Sequence, residues 1–543
     1  MTHPGLLAAM SRPEFYPHLP QTVEIVQTHI SLIFIAGSEV YKVKKAVDFG
    51  FLDFTALEKR KFYCEEELRL NRRLAPETYL AVVPIAEDAA GALHPGETGR
   101  IVDYAVRMKL LPRERMLGRL LAEGKVEPAV MSAIARKLAA FHGQAETGGR
   151  IDEVGGIGTI RRNHEENFAQ TEDYIGVTIP RGRHEFIRAY AFAFLAREEP
   201  LFRRRVSEHR IRDCHGDLHL DHICVAGGIT IFDCIEFNER FRFGDVAAEV
   251  AFLAMDLDFN GYPAWAETFV DAYVRHAADP EVRTLLNFYR CYYAYVRGKV
   301  VGFRFRDPAI GEKERQEARE TAARYFDLAF AYAARPERPV LILTAGLMGT
   351  GKSVLAQGLA RRLGAEVIRT DVLRKELLSI PSAERRPDAF GQGIYSDEIT
   401  GRTYARALET ASAHLTKGRS AIIDASYKRQ AERLRAADKA KESGADFFLI
   451  ECVCPEETVK ERLENRQGDA SDGRWEIFLA QKADFDPVTE IPAASHIVID
   501  TAQDPDACLI DALRRCRGFK RQTDPFPPTS CPPPPRRGVF SSR

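Results

Sequence analysis

The 543-residue sequence predicts two folded domains in series, an α+β domain of two lobes and then an α/β domain with a parallel sheet. Short alternating apolar runs between residues 22 and 111 give way to largely helical sequence up to about 334. From residue 340 onward, apolar runs alternate with amphipathic helices, the pattern of βαβ units. Between the first of those runs and its helix lies GLMGTGKS, Gly346 to Ser353, which fills G-x-x-x-x-G-K-[ST] without a mismatch. The length agrees, because a single hydrophobic core stops growing well before this size.

Composition removes several classes. With 77 basic against 78 acidic residues the net charge is −1, so no global field draws the chain to nucleic acid or to an anionic membrane. The longest apolar run, PVLILTAGLMG, is far short of a membrane span, and MTHPGLLAAMSRPEF lacks a basic leader. Ten cysteines are scattered without any CxxC, and Cys452 and Cys454 in FFLIECVC are expected on one face of a buried strand. These features predict a reduced, cytoplasmic protein.

Taken in order, TVEIVQ, ISLIFIAG and EVYKVKK read as strands, the last two joined by a turn at Gly37. Thr55 to Glu58 spell a capping box for a helix running through CEEELRLNRRL, whose buried face is drawn by Leu57, Cys64 and Leu68. YLAVVPI and RIVDYAVRMKLL return to strand, which closes a small lobe over 20–112. A helical lobe follows over 113–334, ending in a long helix halted by Pro336 and Pro339. The second domain spans 338–518, and the Pro-rich stretch 519–543 reads as a disordered tail.

In the second domain the chemistry follows from the loop. Gly346, Gly349 and Gly351 free the backbone to wrap a phosphate with its N–H groups, Lys352 reaches the β and γ phosphates, and Ser353 is a Mg²⁺ ligand. Asp424 ends the later strand AIIDAS, where a carboxylate serves the metal. Asp371 and Arg374 follow a second short strand, suited to accept a hydroxyl proton and to hold an acceptor. Arg462, Arg466 and Arg474 either surround a lid that meets phosphoryl oxygens or form a solvated helix face. Residues 340 to about 515 resemble the small P-loop kinases, the group of gluconate kinase, chloramphenicol phosphotransferase and the zeta toxins. That resemblance implies Asp371 as the base or acceptor-binding acid, and Arg466 as a nucleotide contact.

In the first domain DCHGDLHLDHI, residues 213 to 223, suggests zinc because His215 and His219 are four apart, but Gly216 breaks the helix they would share. The stretch better matches the phosphoryl-transfer frame H-x-D-x-x-x-x-N, with His215, Asp217 and, in place of asparagine, His222. HGDLH followed by FDCIE resembles the aminoglycoside phosphotransferase and choline kinase-like family, whose fold is protein-kinase-like and bilobal. The resemblance implies Asp217 as catalytic base, Asp233 and the residue at 222 as metal ligands, and a strand lysine paired with a helix glutamate. Lys42 is the better match to that lysine, although Lys44 shares its face, and Glu67 is the partner. RMKLL (107–111) would be the adenine-contacting hinge, and QTHIS stands where a glycine-rich loop is missing. His222 departs from the pattern, since Mg²⁺ prefers hard oxygen ligands. Asp221, Glu236 or water would supply the oxygen, or else the domain binds nucleotide without efficient transfer.

The pair of domains resembles a group of bacterial two-domain predicted kinases. Its implied activity is ATP- and Mg²⁺-dependent phosphoryl transfer at two sites to small hydroxylated acceptors, metabolite or antibiotic. A first domain that senses a ligand and regulates the second is the alternative. A polynucleotide or nucleotide-sugar acceptor for the second domain is a third reading, and the near-neutral charge disfavours the nucleic acid.

Overall fold

The computed structural model describes residues 3–50, 52–305, 310–381, 392–465 and 475–519. Packing divides them into two compact units. One holds the residues up to Glu172 with Phe192–Tyr325, and the other Asp173–Ala191 with the residues from Phe326 onward. The stretch 173–191, which the sequence counts within the helical lobe, therefore packs in the second unit, where Arg183 bonds Asp506 at 2.6 Å. Among the described residues no helix is long and apolar enough to cross a membrane. The nine cysteines among them are free thiols.

The first unit opens on a six-stranded antiparallel sheet of β1 (Val23–Gln27), β2 (Ser31–Ala36), β3 (Glu39–Lys44), β4 (Tyr79–Glu87), β5 (Leu93–Pro95) and β6 (Arg100–Lys109), in the order β1-β2-β3-β6-β4-β5. Strand alternation sorts β3 into two faces. Tyr41 and Val43 enter a core with Leu6, Met10, Phe15 and Tyr16 from the N-terminal segment. Val40 packs on the other side with Cys64 of the helix Leu57–Asn71, so Lys42 and Lys44 share that helix-facing side. The helix starts differently from expectation. Its N-cap is Ala56, and the Thr55 hydroxyl donates to Asp53 at 2.6 Å, so the Thr55–Glu58 capping box is not made. Its buried residues are Arg60, Cys64, Glu67, Leu70 and Asn71, while Leu57 and Leu68 are half-buried and pack in the same core as Cys64, so Glu67 lies within the buried face rather than beside it.

The rest of the first unit is helical, with two short antiparallel pairs. β7 (Ile211–Asp213) pairs with β10 (Phe243–Asp245), and β8 (Ile223–Val225) with β9 (Ile229–Ile231). Behind them lies the helix Val246–Phe259, buried at every position from Val246 to Leu257. A helix buried all round has no solvent face, so its acids Glu249 and Asp256 must find partners inside the protein.

The second unit is a five-stranded parallel sheet of β11 (Val340–Ala345), β12 (Glu366–Arg369), β13 (Ala421–Asp424), β14 (Asp446–Val453) and β15 (His496–Asp500), in the order β12-β13-β11-β14-β15. All six residues of β11 are buried, as a central parallel strand covered on both faces requires. Helices including Lys352–Leu363, Asp397–Leu415 and Gln430–Glu442 connect the strands, and Ala407, Ala411, Ala436 and Ala440 close on Leu341, Leu343 and Leu449. Cys452 is buried in β14, but Cys454 lies just past the strand, so the two do not share a strand face as expected. The preceding long helix ends at Ala334, ahead of Pro336. The Pro-rich tail from residue 520 lies outside the described residues.

Candidate active sites

In the first unit the sheet and the helix bring a charged cluster together. Lys42 Nζ lies 2.9 Å from Glu67 Oε1 and 2.6 Å from Asp233 Oδ1. Lys44 Nζ donates to Glu67 Oε2 at 2.7 Å and also to Glu236. Glu67 thus serves both lysines rather than Lys42 alone. Burial pushes the Glu67 carboxyl up, but the two ammonium groups outweigh it and hold its pKa below the ordinary value. Burial works against the charge of Lys42 as well, yet Asp233, Glu67 and Glu236 raise its pKa well above the usual lysine value. In Glu236 the balance goes the other way. Burial, with the help of Glu67, raises its pKa despite Lys44.

The loop 213–223 sits against this cluster. Glu249 takes the backbone N–H of His215 and of Gly216, each at 2.7 Å, and is itself bonded to His142 at 2.8 Å. Asp256, seven residues further along the same buried helix, takes the Leu220 N–H at 2.9 Å. Two acids two turns apart therefore pin both ends of the loop. Gly216, at φ +88°, fits because a Cβ there would stand 2.8 Å from the Phe241 carbonyl oxygen. Asp217 follows, with a side chain 33% exposed and so open to a partner. Burial raises its carboxyl pKa, but His219, with Nε2 3.6 Å from Asp217 Oδ2, and the neighbouring His222 bring it down to about 2. It is a carboxylate at any working pH.

Asp233 comes two residues after β9, at φ +64°, an uncommon backbone state for a non-glycine residue and one often kept at functional sites. Its N–H is held by the Tyr79 hydroxyl at 3.1 Å, and the next N–H by Asn71 Oδ1 at 2.9 Å. His222 stands between the two aspartates. Its Nδ1 is 2.8 Å from the Asp217 carbonyl oxygen and its Nε2 is 3.5 Å from Asp233 Oδ2. Asp221 is exposed, and Glu236 is engaged by Lys44. RMKLL forms the end of β6 and the two residues after it, with the Leu110 N–H bonded to Ser38. QTHIS is a turn between β1 and β2, closed by the Ser31 N–H donating to Thr28 Oγ1 at 2.9 Å.

In the second unit the chemistry gathers at the carboxyl ends of the strands, where open α/β sheets bind ligands. Gly346, Gly349 and Gly351 have φ of +122°, +77° and +81°. At Gly346 an added Cβ would stand 2.4 Å from the Cys452 carbonyl oxygen. Gly351 caps the helix that Lys352 and Ser353 begin, so the loop ends at a helix N-terminus. Lys352 Nζ donates to the Leu347 carbonyl at 2.6 Å, and the Met348 N–H donates to Gln481 at 2.8 Å. Asp424 ends β13, its Oδ1 3.3 Å from Thr344 Oγ1. Asp371, in the first turn of the helix Thr370–Leu377, lies 3.5 Å from Arg374. Burial raises its pKa, with Arg374 and Lys352 opposing and Asp424 adding. Arg462 donates to the Thr501 carbonyl at 2.7 Å, and Thr501 bonds the loop at Thr350, which makes this arginine a brace of the loop. Arg466 and Arg474 lie outside the described residues.

Glu249 and Asp256 are not singled out in the sequence, and Lys44 stands there only as the second choice to Lys42. Lys44 is signalled by sharing its strand face with Lys42, and the acids by standing seven apart in the otherwise apolar VAAEVAFLAMD.

A two-lobed unit with a buried Lys–Glu pair beside an aspartate loop, followed by a parallel-sheet unit with a complete P-loop, defines a kinase with two phosphotransferase-type domains. Family models agree: "Phosphotransferase enzyme family" matches residues 58–286 and "AAA domain" matches 341–488. Over 476 residues the chain is 31% identical to proteins of Mycobacterium tuberculosis and Mycobacterium bovis described as uncharacterized, covering 87% of this chain and 92% of theirs. The chain belongs to the family of these two-domain kinase-like proteins. Among solved structures, a choline/ethanolamine kinase family protein from Mesorhizobium loti aligns with 60% of this chain and 98% of its own, at 15% identity and TM-score 0.35. A gluconokinase from Sinorhizobium meliloti aligns with 34% and 94%, at 18% identity and TM-score 0.26.

Proposed function

We propose that the protein is a bifunctional ATP-dependent phosphotransferase, each unit phosphorylating a small hydroxylated acceptor, metabolite or antibiotic. The observation that carries the reading for the first unit is the meeting of Lys42, Glu67 and Asp233 within 2.9 Å beside an open Asp217 carboxylate. In this mechanism Lys42, held by Glu67, binds nucleotide phosphates, and Asp217 accepts the acceptor hydroxyl proton as the oxygen attacks the γ-phosphorus. His219 positions Asp217. In the second unit the loop from Gly346 to Ser353 cradles the phosphates, Lys352 binds their oxygens, and Asp371 takes the proton.

Mg²⁺ fits the second unit, where the Ser353 hydroxyl and the Asp424 carboxylate are hard oxygen donors that would hold it directly or through water. There it would neutralise charge on the phosphates. The first unit offers Asp233 but an imidazole at 222, a donor set that Mg²⁺ does not favour.

That same imidazole favours the second reading, in which the first unit binds nucleotide or ligand and regulates the second. The test is ATP consumption across a panel of hydroxylated metabolites and antibiotics, with wild type, Asp217→Ala and Lys352→Ala in parallel. Under the proposal, Asp217→Ala loses about 10²–10⁴-fold on one set of acceptors and Lys352→Ala loses turnover on another. If Asp217→Ala leaves every turnover intact, the first unit is not a transferase.

A further inference from the structure

Two histidines lead from Asp217 to two sets of groups. His222, 3.7 Å from the carboxylate, leads to Asp233 and Lys42, where the phosphates belong. His219, at 3.6 Å, leads elsewhere. Its ring packs on Phe252 at 6.2 Å between centroids, and Phe252 stacks on Tyr293 of the helix Val282–Phe305 at 4.3 Å. One turn on, the same two faces present Asp256 and Arg297. The Arg297 guanidinium stands 5.8 Å over the ring of Tyr325, which stacks at 3.5 Å on Phe259, a residue one turn past Asp256. Its charge acts from there on Asp217, His219 and Asp256.

Arg297 makes no ion pair among the described residues, and its Nε is buried without an acceptor. Asp256 is engaged by the Leu220 N–H, and Asp217 is kept for the reaction. The flank beyond Gly216 adds no spare acid. There Arg240, beside the Phe241 carbonyl that crowds Gly216, is paired with Glu166 at 3.1 Å. Lys299 lies along the helix that carries Glu166, donating to Asn167 at 2.6 Å and to Gln170 at 2.7 Å. Burial lowers its pKa to about 8, with Glu166 opposing and Arg240 adding, so it stays largely charged at neutral pH. A cationic acceptor would meet a guanidinium here where it needs a carboxylate. An anion would meet a planar fork of N–H donors already held over an aromatic ring.

Accepting the first unit as a transferase with Asp217 as base, we infer that its acceptor is a hydroxylated anion, a hydroxy acid or a sugar phosphate, whose acid group pairs with Arg297 while its hydroxyl lies at Asp217. The hydroxyl oxygen bonds the γ-phosphorus of ATP, the bond from that phosphorus to the ADP oxygen breaks, and the hydroxyl proton passes to Asp217.

The test uses the full chain in a Lys352→Ala background, which silences the second unit, with ATP and a matched series of acceptors: gluconate, glucose phosphate, glucose and glucosamine, with choline and kanamycin beside them. Transfer counts only where Asp217→Ala abolishes it. The inference expects kcat/KM for the acid or the phosphate ester to exceed that for the neutral sugar at least about tenfold, with the amines lowest. Which anion leads tells a carboxylate from a phosphate. Arg297→Met should raise KM for the preferred anion at least about tenfold and hold KM for glucose within about twofold, and Arg297→Lys should recover part of the loss. The comparison of acceptors with Arg297 in place stands whether or not either variant folds. Asp217-dependent transfer that prefers amines or neutral sugars overturns the inference and spares the transferase reading, as does an Arg297→Met that lowers kcat alike for every acceptor. If no compound in the series is phosphorylated in an Asp217-dependent manner, the inference and that reading fall together.

Discussion

Lys44 is the residue whose loss separates architecture from chemistry in the first unit. Its ammonium is buried and bonded to both Glu67 and Glu236. In Lys44→Met the methionine fills much of the space, and Glu67 keeps Lys42 at 2.9 Å, but Glu236 loses its bonded cation. Removing one partner of a buried pair costs about 3–5 kcal/mol, and Glu236 can relieve part of that by taking a proton. Its pKa is already raised in the wild type, by burial first, and without Lys44 it rises further. A group whose folded pKa is raised contributes stability below its unfolded pKa and loses it as pH rises toward the folded one. The variant's deficit is therefore small while Glu236 is protonated in both proteins. It grows by about 1.4 kcal/mol per pH unit once only the wild-type carboxyl has ionised.

Of the two tryptophans, Trp265 belongs to the first unit and Trp475 to the second. In a Trp475→Phe background, Trp265 fluorescence in urea follows the first unit. Lys44→Met is compared with its parent at pH 5.5 and 7.5, and Lys44→Met/Glu236→Gln should recover most of the loss at the higher pH. An equal deficit at both pH values, with no recovery in the double variant, refutes the account.

Buried His164 and His215 are held neutral, with pKa values lowered to about 3 and about 4 by burial. The unfolded chain takes up those protons first, so stability is full above about pH 6.5 and falls as pH drops toward 4, by up to about 3 kcal/mol for each. Urea midpoints across that range should fall less steeply in His164→Phe. Gly216→Ala places a Cβ 2.8 Å from the Phe241 carbonyl at φ +88°, so it should cost about 1–3 kcal/mol and shift the Asp217 loop. A melting curve and a kinetic comparison with Gly143→Ala, whose added Cβ meets nothing within 4 Å, check this. Arg205 is fully buried between Asp245 and Asp279, and Arg205→Met strands both carboxylates. The expected loss is about 3–5 kcal/mol in the Trp265 transition, and a loss under 1 kcal/mol would contradict it.

The sequence by itself determined the order of architectures and the P-loop. Both are local patterns: the period of apolar residues, and three glycines whose positive φ excludes side chains. It also placed Lys42, Glu67, Asp217 and Asp233 as candidates, because short motifs fix where such groups stand along a strand, a helix or a loop. Tertiary structure alone decided how they are shared. Nothing in EVYKVKK says that Lys44 joins Lys42 on one glutamate, or that Glu67 lies in the middle of the buried helix face rather than beside it. The Thr55–Glu58 box failed because Asp53, brought close by the loop, takes the Thr55 hydroxyl. Glu249 and Asp256 could be seen as acids in an apolar helix, but only the fold shows that they pin the ends of the Asp217 loop. A pattern can fix what a residue is and which way its element turns it; the partner that sets its charge comes from a distant part of the chain, and only folding brings the two within bonding distance.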